Sequence, residues 1–274
     1  MTRTTRTSTV RSCLTYGRVC EPVKTNRPSL PGRFFLATTV CGGFNVSVES
    51  FFSALSPSLN SRPATPPTPT DVLLDVSRAL PRDLLADARA AGPALLGCIL
   101  VREHRGVRRA GVIVEAESYL QEEPACHAFR GRTRRNATLF GRAGLAYVYR
   151  IHRSFCVNVV TGAEGRGEAV LVRALEPIDG VAAMERARRR ATLGDVAPRG
   201  TALTNGPGRL CQAMGIDLAL DGVDLLAPAS PKPRLYLLAR AYDPRIRVSP
   251  RIGISQARDL PLRFFVEGNA WVSR

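Results

Sequence analysis

Residues 112–119 read Val-Ile-Val-Glu-Ala-Glu-Ser-Tyr. On a β-strand, residues two apart share a face. Glu115, Glu117 and Tyr119 then stand on one side with Ile113, and Val112, Val114 and Ala116 on the other. Two carboxylates and a ring on an otherwise apolar strand have two readings: the solvated face of an edge strand, or a carboxylate held in a cleft as a general base. A second signal is Arg173, which interrupts the apolar run 171–175. A cation there is costly unless an acid pairs with it, so it forms either a structural ion pair or a charge that orients a catalytic carboxylate. A third is the loop 125–136, where Arg130, Arg132, Arg134, Arg135 and Asn136 follow His127 and Phe129. It is either a phosphate clamp or a charged surface loop. The fourth is a hairpin over 147–158. Tyr147, Tyr149 and Ile151 share a face, Asn158 lies on the returning strand, and His152, Arg153 and Ser154 form the tip. A tip with His and Arg could enter a DNA groove as a wedge.

Several elements must position these groups. The pattern predicts a helix over 80–91, with Leu84 and Leu85 on its apolar side and Gly92 after its end. Strands are expected over 95–102, 109–120, 145–151, 155–161 and 168–175, and a strand pair or bent strand over 262–272. Helices are expected over 180–191, with a basic face, and over 207–214, where Pro207 suits a first turn. Strands joined by short turns imply a mixed α/β (α+β) domain with an antiparallel sheet and helices around it.

Composition divides the chain near residue 75. The first 74 residues are rich in Ser, Thr, Pro and Arg, and the stretch 57–70 is a Pro/Thr linker that cannot build a packed core. They are expected to be a dispensable, disordered basic leader, with residues 75–274 as the globular domain. An organelle transit peptide or a start placed too far upstream would have the same composition. The net charge of +16 over 274 residues favours a polyanionic partner, although arginine bias has the same signature, with Lys24 and Lys232 the only lysines. The 7 cysteines are scattered, without zinc or disulfide spacing, which fits a reducing compartment. No apolar run reaches the length of a membrane span.

Six segments, in this order, carry a resemblance: VIVEAESYL, HAFRGRTRRN, YVYRI with FCVN, VLVRALEP, NGPGRLCQAMGI and LPLRFFVEGNAWVS. Together they resemble the alkyladenine DNA glycosylase family, the 3-methyladenine DNA glycosylases of that type. The resemblance implies a single domain around a curved antiparallel sheet with a protruding, DNA-inserting β-hairpin. It implies that Glu117 activates the attacking water, that Arg173 helps hold that water and the carboxylate, and that the backbone of Ile252 contacts the water. Tyr119, His127 and Tyr149 would sandwich the flipped base, and Asn158 would obstruct the 2-amino group of guanine. Two departures stand out. Where the family hairpin carries Tyr-Gly-Met, this chain has His152-Arg153-Ser154 and is one residue shorter, making His152 the nearest wedge and Arg153 its rival. In the basic loop Arg134 replaces a proline, while Arg130, Arg132 and Arg135 remain for the DNA backbone.

The implied activity is excision of damaged purines (3-methyladenine, 7-methylguanine, hypoxanthine, ethenoadenine) from double-stranded DNA, starting base excision repair. The base must leave the stack for its glycosidic bond to be reached. No metal or redox cofactor is needed, and a lyase step would need an amine, so a monofunctional hydrolase is expected. It would act as a monomer without a membrane partner, in the cytoplasm with the nucleoid of a bacterium, or in a nucleus or organelle. Two other classes compete: a non-catalytic DNA- or RNA-binding module, against which Glu117 and Arg173 argue, and a nucleoside hydrolase, against which the basic surface and hairpin tip argue.

Overall fold

The apolar run that carries Glu115 and Glu117 becomes the longest strand of a curled antiparallel sheet. The computed structural model describes residues 74–192, 198–229 and 234–273. The expected leader, Leu74 apart, lies outside the described residues, as do Lys24 and Lys232. In chain order the elements are α1 (Ala88–Ala94), β1 (Ile99–His104), β2 (Val107–Tyr119), β3 (Ala146–Ile151), β4 (Ser154–Val160), β5 (Ala169–Asp179), α2 (Val181–Thr192), α3 (Pro207–Met214), β6 (Arg234–Leu238), β7 (Ile246–Ser249) and β8 (Arg263–Val266). Short 3-10 turns join several of them. The domain is α+β, as its strand spacing implied. Among the described residues no helix is long and apolar enough to cross a membrane.

The strands line up as β3-β4-β5-β2-β1-β6, with β8 bridging β2 and β7. β1 pairs with the first half of β2, and β8 pairs with Glu115, Ala116 and Glu117. β5 runs along the other edge. The two carboxylates therefore lie inside the sheet, and the edge-strand reading fails. Two β-bulges interrupt the β2–β5 ladder here. Ile113 faces Leu175 and Glu115 faces Ala174, so Val114 is an extra residue. Ala116 then faces Val172, so Arg173 is the next one. A bulge bends its strand and re-aims a side chain, and bulges gather beside active sites. Strict alternation therefore breaks at Val114, and Ile113 packs into the main core instead of joining the carboxylates.

Several expected boundaries shift. The predicted helix over 80–91 splits into a 3-10 turn at Arg82–Leu85 and α1. Asp87 interrupts it by accepting hydrogen bonds from the amides of Arg89 and Ala90, the usual N-cap service of a short acid. Leu84 is consequently exposed while Leu85 is buried. Gly92 lies inside α1, because a Cβ there would sit 2.5 Å from Ser118 Oγ and 2.6 Å from the Phe264 ring. Residues 95–98 continue the turn after α1, and β1 starts at Ile99. The predicted closing pair over 262–272 is one short strand, β8, whose partners are β2 and β7. β6 and β7 were not expected. α3 begins at Pro207 as expected and ends on Gly215 at φ 70°, with the Ile216 amide bonded to Cys211 O, a left-handed C-terminal cap.

The main core is built from strand residues together with side chains of α1, α2 and α3. A second cluster, built on Cys126, Ala128, Leu139, Phe140, Tyr147, Val160 and Ala169, lies beneath the basic loop. Tyr119 and Tyr149 pack against that second cluster.

Candidate active site

β2 delivers Glu117 and β5 delivers Arg173 to one point. The Glu117 carboxylate is fully buried. Its Oε1 accepts the Ile252 amide at 2.9 Å. Its Oε2 accepts Tyr119 Oη at 2.9 Å and Arg173 Nη1 at 3.2 Å. A carboxylate offers roughly four acceptor positions, and one on Oε1 is left over. Tyr119, Arg173 and Ile252 all line a pocket of about 360 Å³, so the acid lies directly behind the pocket floor. Arg173 also donates to the Ile252 carbonyl at 3.4 Å.

Arg173 pairs with two acids. Its Nε donates to Glu115 Oε1 at 3.0 Å, and Nη2 donates to Ser273 Oγ at 3.3 Å. Arg263 Nε reaches the same Glu115 oxygen at 2.7 Å. Two buried carboxylates thus face two guanidinium groups, the balance a buried charge cluster requires. Arg173 is thus a structural ion pair with Glu115, and it also bonds to Glu117, the carboxylate it was expected to orient.

The pocket walls are aromatic. Tyr147, Tyr149 and Ile151 all line it, as their shared strand face requires, along with His127 and Asn158. His127 Nδ1 lies 3.0 Å from Tyr147 Oη. The His127 and Tyr149 rings meet edge to face at 4.5 Å between centroids. Burial holds the His127 imidazole below its ordinary pKa, which favours the neutral ring. Burial, then the neighbouring Glu117 charge, pushes Tyr119 above the usual phenol range, so it stays a donor to the acid. Asn158 is buried opposite Tyr147 and donates from Nδ2 to the Tyr147 carbonyl at 3.0 Å.

The remaining expected residues lie outside the pocket. His152 and Arg153 are exposed at the hairpin tip. They alone form the turn, because Ile151 already pairs with Ser154; the three-residue tip is corrected to two. His152 takes a left-handed backbone at φ 48°. Arg130 borders a neighbouring groove of about 920 Å³ that shares His127 and Gly253 with the pocket. Arg132 and Arg135 are exposed on the same loop. Asn136 is not part of a clamp. It is buried, its Oδ1 accepts the Thr133 amide at 2.6 Å, and its Nδ2 donates to the carbonyls of His127 at 2.9 Å and Gly131 at 3.1 Å. It holds the basic loop in shape where the sequence has Arg134 instead of a proline.

Sequence reasoning missed Tyr147 and Ile151 as wall residues, although the face they share with Tyr149 was the available signal. It also missed Ser273 and Arg263, which are charge-cluster partners of Glu115 with no local signature.

The chain matches the methylpurine-DNA glycosylase family over residues 82–270. It is 48% identical over 188 residues to a candidate 3-methyladenine DNA glycosylase of Methanoculleus marisnigri, covering 66% of this chain and 90% of that protein. A second, from Carboxydothermus hydrogenoformans, is 44% identical over 199 residues, covering 71% of this chain and 98% of the relative. A third, from Rhodopirellula baltica, is 47% identical over 182 residues, covering 65% and 76%.

Proposed function

The chain belongs to the methylpurine-DNA glycosylase family and is a DNA glycosylase, and on that premise we propose that it flips alkylated or deaminated purines out of duplex DNA and hydrolyses the N-glycosidic bond with a water activated by Glu117. One observation carries this reading: a fully buried carboxylate with three hydrogen-bond donors and one open acceptor position, set behind the floor of an aromatic pocket. A solvent-facing acid would have little leverage on water. An acid held by Tyr119, Arg173 and the Ile252 amide keeps one lone pair for the water proton. General base catalysis of this kind contributes roughly 10²- to 10⁴-fold.

Each step follows from the groups present. Extrusion costs a few kcal/mol, least where pairing is already damaged, and the tip residues His152 and Arg153 would fill the vacated space. Tyr119, His127 and Tyr149 would stack on the everted base, worth roughly 1–3 kcal/mol per base. A neutral His127 adds no like charge beside a cationic alkylated purine. Asn158, fixed on Tyr147, would exclude guanine by its 2-amino group. Departure leaves an oxocarbenium-like sugar, which the water captures from the face nearest Glu117, as in inverting glycoside hydrolysis. Arg130, Arg132 and Arg135 would hold phosphates. The sequence has only two lysines, so the amine of a lyase step is scarce and a monofunctional enzyme is proposed.

The test is a duplex with a single hypoxanthine or ethenoadenine, treated with alkali after incubation. Strand cleavage with wild type and its loss with Glu117→Gln support the reading. Binding without cleavage would leave a non-catalytic module, and activity on free nucleosides alone would leave a nucleoside hydrolase.

A further inference from the structure

Against Tyr119 lies a buried ion pair with no part in the chemistry described so far. The Arg251 guanidinium and the Glu123 carboxylate are almost completely buried, and neither lines the pocket. They meet as two forks. Arg251 Nη1 donates to Glu123 Oε1 at 2.5 Å, and Nη2 bonds to Oε2. Nη1 also donates to the Ser118 carbonyl at 2.8 Å, and Glu123 Oε1 accepts the Leu120 amide at 2.9 Å. The pair thus grips the backbone on both sides of Tyr119. The guanidinium carbon lies 4.6 Å from the centre of the Tyr119 ring.

Resting on the glycosylase reading, we propose that Arg251, held by Glu123, is a positioning residue that fixes the plane of the Tyr119 ring against which the everted purine stacks. Tyr119 Oη is tethered to Glu117, but one hydrogen bond leaves the ring free to tilt about the Cβ–Oη axis. A flat cation over the ring removes that freedom. An apolar side chain would fill the same space without the desolvation of two charges, and buried ion pairs are seldom the most stable filling. The Arg251 Nε is moreover buried without a hydrogen-bond partner. What the guanidinium supplies in return is planarity. It is a rigid fork that Glu123 holds in one orientation, which a lysine ammonium cannot match.

The experiment measures single-turnover excision of ethenoadenine from a duplex by wild type, R251M, R251K, Y119A and the R251M/Y119A double variant. Each is also assayed for binding to a duplex with an abasic-site analogue, which offers no base to stack. Loss of an aligned stack predicts a slowing of about 10- to 100-fold in R251M. R251K gives no rescue, abasic-site binding changes less than about threefold, and most of the R251M cost vanishes once Tyr119 is gone. The proposal is overturned if R251M excises within about threefold of wild type, if abasic-site binding falls by the same factor as excision, or if the cost persists in the Y119A background. Should R251M not fold, E123Q takes its place with the same expectations. An inactive wild type would overturn the glycosylase reading and this role with it, whereas an active wild type with an unaffected R251M overturns this role alone.

Discussion

Glu115 does not line the pocket, yet Glu115→Gln should damage the protein more through stability than many active-site changes do. The carboxylate is fully buried and accepts four hydrogen bonds, three of them on one oxygen. Oε1 receives Arg173 Nε at 3.0 Å, Arg263 Nε at 2.7 Å and Ser273 Oγ at 2.9 Å, and Oε2 receives the Ser273 amide at 2.7 Å. Glutamine keeps the shape but turns one oxygen into an NH₂ group. With its oxygen on the crowded side, the NH₂ faces the Ser273 amide, donor against donor. A buried amide without a partner costs about 1–3 kcal/mol. Loss of the negative charge also leaves Arg173 with Glu117 alone and takes from Arg263 the acid it pairs with, and breaking a buried pair costs about 3–5 kcal/mol. Part of this overlaps, and about 4 kcal/mol is the net expectation. For a domain of this size that lowers Tm by about 8–16 °C. Denaturant and thermal unfolding followed by circular dichroism would measure it. A Glu115→Gln variant within about 1 kcal/mol of wild type would refute the argument that this cluster is held together by charge balance.

Two further outcomes follow from the same structure. The native pKa of His127 lies below its unfolded value because of burial, so its stability contribution is complete above about pH 6.5 and is lost as pH falls from there toward the native pKa. Unfolding of His127→Phe between pH 5 and 8 should show a flatter acid limb, with a remainder from His104, whose pKa is also lowered, by desolvation and neighbouring arginines; an unchanged limb would contradict it. Replacing Arg130, Arg132 and Arg135 by alanine should weaken binding of any duplex and reduce the salt slope of log K by about 2.7, if each contacts one phosphate. Titration at several salt concentrations checks this, and an unaltered slope would remove the loop from the interface.

Much of the site was legible because its signals are local. The spacing of Glu115, Glu117 and Tyr119 placed them on one strand face, and alternation put Tyr147, Tyr149 and Ile151 on another, although only Tyr149 was assigned to the pocket. The hairpin followed from two apolar runs with a short polar tip, and α3 followed from a proline and a glycine at its ends. Alternation could not foresee a β-bulge, so Ile113 was assigned to the wrong side. The helix over 80–91 was misjudged because Asp87 competes for backbone amides that the apolar pattern does not register.

By itself the sequence determined the strands and turns that present Glu117, Arg173 and the aromatic residues, since side-chain periodicity and turn chemistry act over a few neighbours. Only the tertiary structure decided that β8 closes over β2, that the Ile252 amide reaches Glu117 across 135 positions, and that Ser273 reaches Glu115 across 158. Such contacts arise when the sheet curls and buried charges must find partners, a requirement of the whole packed interior that no short stretch of chain encodes.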